Sequence, residues 1–154
     1  VSKARAMRTR ISTGHSRRCV GNARFEDFSR LTIADIPGLI DGAHDNAGLG
    51  DAFLRHIERA AVLVCVLDVA ATDNREPWDV FSALMQELEW YKTGLSERVS
   101  MVVANKMDLE GAETRLKTLR EKLNNRTVLP MSVLKESNIS KFLGQIRNLV
   151  HTEA

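Results

Sequence analysis

Two short, valine-rich runs constrain the fold more than any other feature of this sequence. They are VLVCVL at residues 62–67 and VSMVVA at residues 99–104. Apolar runs of this length, bounded by polar residues, are typical of strands buried on both faces, as in parallel sheets. Two weaker runs, at 31–36 and 127–131, extend the series. We therefore predict four strands in one largely parallel sheet.

Between these runs, apolar residues recur at the three- and four-residue spacing of amphipathic helices. The stripes predict helices over residues 51–61, 78–92, 113–123 and 140–150, with Ser140 as the N-cap of the last one. Because each predicted strand leads into a predicted helix, we expect a three-layer α/β domain. In the last three helices the inward residues are predicted to be Trp78, Phe81, Leu84, Met85, Leu88, Tyr91, Leu116, Leu119, Leu123, Phe142, Leu143, Ile146, Leu149 and Val150.

The composition excludes several other classes of protein. Of the 154 residues, 44% are hydrophobic and 27% are charged, which is ordinary for a soluble domain. No apolar run approaches the roughly 20 residues that a membrane span needs. The two cysteines, Cys19 and Cys65, are too few for a disulfide-stapled scaffold. We expect a soluble protein of a reducing compartment.

The first part of the chain differs sharply in charge from the rest. Residues 1–24 contain seven basic residues and no acidic one, whereas the remainder has 15 basic and 20 acidic residues. An arginine-rich, acid-free segment suggests a nucleic-acid-binding arm or an organelle transit segment. Since the first residue is Val1 instead of methionine, we also expect the sequence to be a piece of a longer protein.

In parallel α/β sheets, ligands bind at the carboxyl ends of the strands, so the loops there carry the candidate chemistry. The first such loop is Asp35-Ile36-Pro37-Gly38. An acid in this place can hold a hydrated Mg²⁺, and the glycine allows a phosphate to approach the backbone N–H. The alternative is a Pro-Gly turn beside a solvated aspartate.

The second loop, Asn105-Lys106-Met107-Asp108, directly follows the run VSMVVA. A carboxylate such as that of Asp108 can accept two parallel hydrogen bonds from N1–H and the 2-amino group of guanine, a pairing that adenine cannot supply. Lys106 would lay its alkyl stem across the base, and Asn105 would tie the loop to its neighbours. The alternative is an exposed polar loop that ends a strand.

A third loop begins at Ser132 and Val133, after the predicted strand at 127–131. Ser132 could brace the preceding loop, and a backbone N–H here could reach the guanine carbonyl. Serine after a strand is also ordinary turn chemistry, so only its position beside the other two loops favours a binding role.

A longer stretch of sequence resembles a known family. The run ADIPGLIDGAH at residues 34–44, with AGLG at 47–50 and FLRHIER at 53–59, is similar to the signature of the Obg-type GTPases. The resemblance continues through ANKMDL at 104–109 and covers about residues 31–150. It implies a P-loop NTPase-type α/β fold, with GTP and Mg²⁺ as ligands. Some pieces look most like the mitochondrial branch that assists assembly of the large ribosomal subunit.

The resemblance also implies roles for single residues. Asp35 would contact Mg²⁺ through water, Gly38 would donate its N–H to the γ-phosphate, and Asp108 would select guanine. Residues 39–50 would form the second switch, ordered by the γ-phosphate. Leu39 stands where many small GTPases have a water-orienting glutamine, so we expect slow hydrolysis and name no catalytic base.

This chain departs from the family in two places. The phosphate-binding motif G-x-x-x-x-G-K-S/T is absent from the sequence, so we expect the first strand and its phosphate loop to be missing and the chain alone to be inactive. Residues 6–19 replace the family's Pro-Phe-Thr-Thr element; a reading-frame error, a replaced exon or a diverged switch would each explain this. We assign residues 1–30 to a basic, irregular remnant of the first switch region and 31–154 to a partial Obg-type G domain.

Two functions follow from these features. The first is a GTP-binding protein and slow GTPase that acts as a switch in large-subunit assembly, with GTP, GDP and the ribosomal large subunit or rRNA as partners. The alternative is a nucleotide-free pseudo-GTPase scaffold that binds protein or rRNA through Arg8, Arg10, Arg17 and Arg18. The resemblance indicates a mitochondrial protein, and otherwise a cytoplasmic one.

Overall fold

The computed structural model of the chain describes residues 20–35, 57, 59–124 and 126–153. Its strands and helices alternate from residue 63 onward, as predicted. The elements in chain order are β1 (Val20–Arg24), β2 (Arg30–Ala34), β3 (Leu63–Asp68), α1 (Pro77–Tyr91), a short 3-10 helix (Ser96–Arg98), β4 (Val99–Asn105), α2 (Ala112–Lys122), β5 (Val128–Pro130) and α3 (Ile139–Glu153).

Strands β3, β4 and β5 form a parallel sheet in that order. The two valine-rich runs pair directly, with Val66 opposite Val103. At the carboxyl ends of these strands, Asp68 lies opposite Asn105, so the loops that follow β3 and β4 leave the sheet side by side. The strands predicted at 62–67, 99–104 and 127–131 are confirmed, with ends shifted by at most one residue.

Helices cover both faces of this sheet, which confirms the three-layer architecture. On one face, Leu88 of α1 and Leu119 of α2 pack with Leu67 of β3 in the larger hydrophobic core. On the other face, Ile146 of α3 packs with Val103 of β4. The helices predicted over 78–92, 113–123 and 140–150 are therefore confirmed, together with their inward faces.

The start of α3 corrects one prediction. The helix begins at Ile139, so Ser140 lies inside its first turn and is not the N-cap. The carbonyl of Asn138 accepts the first helical hydrogen bond, from the N–H of Phe142. Asn138 is itself fixed because its side-chain amide donates to the carbonyl of Pro130 at 2.9 Å. This contact with β5 sets the first residue of the helix.

Strands β1 and β2 form an antiparallel hairpin, from Val20 opposite Ala34 to Arg24 opposite Arg30. The strand predicted at 31–36 is therefore observed as β2, whereas β1 was not predicted and lies in the segment assigned as irregular. Its sequence, VGNAR, has no apolar run, although Ala23 is buried. The pairing with β2 defines β1 as a strand, and the residue pattern of β1 by itself does not.

The hairpin is attached to the last helix. Ala23 and Phe25 are buried with Leu143 of α3. The guanidinium of Arg147 lies 4.7 Å from the ring centre of Phe25 and also bonds the carboxylate of Asp27. The hairpin and the parallel sheet therefore share α3 as a common support.

One edge of the parallel sheet is open in the part of the chain that the structure describes. There, β3 pairs with β4 and with no second strand, and Val66 is 55% exposed. The helix predicted over 51–61 falls mostly outside the described residues, although Ile57 is fully buried in the larger core. Among the described residues, no helix has both the length and the apolar character needed to cross a membrane.

Candidate functional site

Three loops meet at the carboxyl ends of β3, β4 and β5. The N–H of Val69 donates to the carbonyl of Asn105 at 3.0 Å, which continues the ladder between β3 and β4 by one residue. The N–H of Met131 donates to the carbonyl of Ala104 at 2.8 Å, which does the same between β4 and β5. The positions of the three loops are therefore fixed by the register of the sheet.

Three hydrogen bonds join the loop at residues 105–108 to the loop after β5, and two of them involve Asn105 and Met107. The side-chain oxygen of Asn105 accepts a hydrogen bond from the N–H of Val133 at 3.2 Å. The N–H of Met107 donates to the carbonyl of Met131 at 3.2 Å. The structure thus places Asn105 in the tying role predicted for it, and it brings Val133 next to the same loop.

Asp108 is braced by Ser132. The hydroxyl of Ser132 donates to one carboxylate oxygen of Asp108 at 2.5 Å, and it accepts from the N–H of Lys135 at 3.1 Å. Ser132 is only 2% exposed, so its hydroxyl has a fixed place. The hydrogen bond from Ser132 lowers the pKa of Asp108 below its usual value, so the ionised form is favoured further. An ionised carboxylate has lone pairs left to accept hydrogen bonds from a ligand.

Lys106 has an unusual backbone and a fixed side chain. Its φ of +67° lies in the left-handed region, which costs a residue with a Cβ about 1 kcal/mol. Its ammonium group donates to the carboxylate of Asp68 at 2.7 Å and to the hydroxyl of Thr72 at 2.5 Å. The side chain of Lys106 therefore extends from the loop after β4 to Asp68 and Thr72, at and after the end of β3.

Asp68 is a site residue that the sequence analysis missed. Besides Lys106, its carboxylate accepts from the N–H groups of Ala70 and Thr72 at 3.0 and 3.1 Å, and from the Thr72 hydroxyl. Partial burial alone would raise the pKa of Asp68, but the hydrogen bonds from Lys106, Thr72 and Ala70 outweigh it and hold that pKa below its usual value. The available signal was an acid at the carboxyl end of a buried strand, the same rule that selected Asp35.

Of the predicted phosphate-side residues, only Asp35 is described. It is exposed and directly follows β2. Ile36, Pro37 and Gly38, together with residues 39–50, lie outside the described residues. Over residues 20–35, 57, 59–124 and 126–153, no group of three or more His, Cys, Asp or Glu side chains is placed to hold a metal ion. A single exposed carboxylate fits Mg²⁺, which keeps several waters and takes one or two protein carboxylates.

Together, these loops can recognise a flat, polar ring. The carboxylate of Asp108 accepts from a pair of adjacent donors, while the methylene stem of Lys106 offers an apolar edge for stacking. Guanine presents such a donor pair, whereas adenine presents an acceptor at the ring nitrogen. The structure brings Asn105, Lys106, Met107 and Asp108 together with Ser132 and Val133, and the base-binding role of these residues stays a prediction.

Comparison with known proteins gives a consistent result. Residues 5–106 match the profile of the family described as 50S ribosome-binding GTPase. The chain is 44% identical over 135 residues to the probable GTP-binding protein OBGM, mitochondrial, of Arabidopsis thaliana, covering 85% of this chain and 27% of that protein. It is 44% identical over 131 residues to the GTPase Obg of Akkermansia muciniphila, covering 85% and 37%. With the GTPase Obg of Geobacillus thermodenitrificans it shares 39% identity over 156 residues, covering 99% and 36%.

Proposed function

The chain belongs to the 50S ribosome-binding GTPase family, and we propose that the protein binds GTP and GDP, hydrolyses GTP slowly and acts as a switch in assembly of the large ribosomal subunit. The chain spans about a quarter to just over a third of the length of the curated relatives named above. The observation that carries the proposal is a pair of side-chain hydrogen bonds between the loops after β4 and β5. Ser132 holds Asp108, and Asn105 holds Val133.

The proposed base recognition follows from these two bonds. The carboxylate of Asp108 accepts from N1–H and the 2-amino group of guanine, and the Ser132 hydroxyl fixes its direction. The bond to Asn105 holds the backbone at Val133 beside the same site, where a neighbouring N–H can donate to the guanine carbonyl. Adenine has neither the donor pair nor that carbonyl, so it is rejected by unpaired polar groups.

On the phosphate side, we propose that Asp35 holds Mg²⁺ through water and that the Ile36-Pro37-Gly38 backbone approaches the γ-phosphate. When bound, Mg²⁺ neutralises charge on the phosphates. Leu39 follows Gly38 and has no group that could orient a water molecule, which supports slow hydrolysis. Residues 39–50 are the proposed switch.

We propose a mitochondrial location for the protein. Two of its relatives, from Arabidopsis thaliana and Oryza sativa, carry the word mitochondrial in their names. Expression of the natural gene product fused to a fluorescent protein tests the location, and a purely cytosolic signal would contradict it.

Nucleotide binding is tested on the gene product at its natural length. A fluorescent GDP analogue should bind in the presence of Mg²⁺, and unlabelled GDP and GTP should displace it whereas ADP and ATP should not. The protein should also sediment with large ribosomal subunits in the presence of a non-hydrolysable GTP analogue and less with GDP. Ribosome binding that is unaffected by nucleotide, with no GDP binding, would favour the scaffold function instead.

A further inference from the structure

Lys106 and Asp68 form the most tightly organised polar cluster outside the bonds already assigned to base recognition. The ammonium group of Lys106 has two acceptors, the carboxylate of Asp68 at 2.7 Å and the hydroxyl of Thr72 at 2.5 Å. The Lys106 side chain is 42% exposed and the Asp68 side chain 23%. A lysine this exposed is ordinarily free to move, so two short bonds at its end need an explanation.

Asp68 is itself anchored before it meets the lysine. The parallel register places it opposite Asn105, at the end of the central ladder. Backbone N–H groups of Ala70 and Thr72 and the Thr72 hydroxyl all donate to its carboxylate. The loop after β3 thus presents a fixed carboxylate toward the loop after β4, independently of where the lysine is.

The two ends of Lys106 therefore lie on different strands. Its backbone leaves β4 with a positive φ, and its ammonium group is held above the end of β3. The methylene stem therefore runs between the two loops, and the Lys106 charge helps to lower the pKa of Asp108, two residues further along the chain. A stem fixed in this way is an ordered apolar surface beside the carboxylate that selects the base.

We propose that Asp68, assisted by Thr72, is a positioning residue that holds the Lys106 side chain in place for the guanine base. The inference rests on the proposed nucleotide function and adds a part to it that lies on a different strand from the base-binding loop. Because the lysine is already ordered before the nucleotide arrives, binding loses less side-chain entropy. Asp68 therefore contributes to the affinity for the nucleotide and does not determine which base is preferred.

The test is a double-mutant cycle on the natural-length protein, with a fluorescent GDP analogue as the probe. Asp68→Asn should weaken binding by about five- to tenfold, since it removes a charged hydrogen-bond partner from a partly exposed lysine. Lys106→Ala should weaken it by at least as much. In the double variant, the loss should be no greater than in Lys106→Ala alone, because Asp68 acts only through the lysine.

Asp73→Asn is the matched control. Asp73 lies in the same loop but bonds Arg75, so its substitution should leave the affinity within twofold. Thr72→Val, which keeps the size of the side chain and loses the hydroxyl, should weaken binding by about two- to fourfold, and Thr72→Ser should restore it. Thermal unfolding of each variant separates loss of binding from loss of fold.

Each outcome bears on a distinct statement. If the parent protein does not bind the GDP probe, the proposed function fails and not only the role of Asp68. If the parent binds but Asp68→Asn matches it, or if the losses from Asp68→Asn and Lys106→Ala multiply in the double variant, Asp68 does not position the lysine. Should Asp68→Asn unfold, the Thr72→Val and Thr72→Ser pair decides, and equal affinity of those two variants overturns the proposal.

Discussion

The two halves of the candidate site are supported in different ways. The base-side loops, Asn105–Asp108 and Ser132–Val133, grow out of adjacent strands of one parallel sheet and are bonded to each other. Asp35, on the phosphate side, follows the antiparallel hairpin β1–β2, which is attached to the rest of the described protein through α3.

This difference shows what fixes each functional atom. On the base side, the register of the sheet and the side-chain bonds determine the positions of Asp108 and Lys106 together. On the hairpin side, the position of Asp35 depends on the packing of Phe25 and Arg147 on one helix face. The base side should therefore respond to changes in the sheet core, and the hairpin to changes at α3.

The largest effect is expected from Leu119→Ala. Leu119 is fully buried in the core beneath the parallel sheet, so its truncation should lower the free energy of unfolding by about 2–5 kcal/mol. Phe28→Ala is the control, since Phe28 at the hairpin tip is 92% exposed and its loss should change stability by no more than about 0.5 kcal/mol. Urea unfolding followed by circular dichroism measures the free energy of unfolding of both variants. Equal losses of stability in the two variants would contradict the contrast between the sheet core and the hairpin.

Asp108→Asn should have the next largest effect. It should lower the affinity for GTP by about a hundredfold, because the amide presents a donor where guanine also donates. The Ser132 hydroxyl can still donate to the amide oxygen, which leaves the NH₂ group toward the ligand. The variant should consequently gain affinity for xanthosine triphosphate, whose C2 oxygen accepts that donor.

Competition binding on the natural-length protein measures the exchange of base preference. Lys106→Ala is the control, since it should weaken both nucleotides without changing which one is preferred. If Asp108→Asn binds GTP as well as the parent protein does, the loop after β4 is only a polar strand end and the proposed guanine recognition is wrong.

The sequence was informative wherever a residue's role depends on its position along a regular element. The valine-rich runs specified β3 and β4, and the strand ends then located Asp108 and Ser132 without any knowledge of their contact. Strand β1 was missed because its sequence, VGNAR, has no apolar run and the strand is defined by its pairing with β2. Pairing with a neighbouring strand does not require an apolar pattern in a strand as short as β1.

Asp68 and Ser140 show a second kind of failure. The proposed role of Asp68 depends on its contact with Lys106 across two strands, and nothing in the sequence around either residue signals that contact. Ser140 has the chemistry of an N-cap, but the bond from Asn138 to β5 starts the helix one residue earlier. In both cases a contact between elements overrides a local preference.

Ser132→Ala should have a smaller effect, and it sharpens the base side of the comparison. The change removes the hydroxyl that donates to Asp108 and accepts from Lys135, so the carboxylate loses its fixed direction. We expect affinity for GDP to fall by about three- to tenfold, with guanine still preferred over adenine. Ser137→Ala is the matched control, since Ser137 bonds Ser132 through backbone groups. Equal affinities of the two variants would show that the brace is dispensable.

The smallest effect is a pH response confined to the hairpin. Hydrogen bonds from Ser29, aided by Arg147, lower the pKa of Asp27 to about 2 from its usual value near 3.8. Because the pKa is lower in the folded state, the contribution of Asp27 is fully present above pH 4 and is lost as the pH falls through about 2. Hydrogen-exchange protection of the β1–β2 amides should therefore decline over this range.

Asp27→Asn is the control. In this variant the decline in hydrogen-exchange protection of the β1–β2 amides should vanish, whereas the loss of protection at low pH in the loops of Asp68 and Asp108 should remain as in the parent protein. If the variant keeps the hairpin's response, the attachment to α3 does not depend on the Asp27 carboxylate, and the packing of Ala23 and Phe25 against Leu143 holds the hairpin in place.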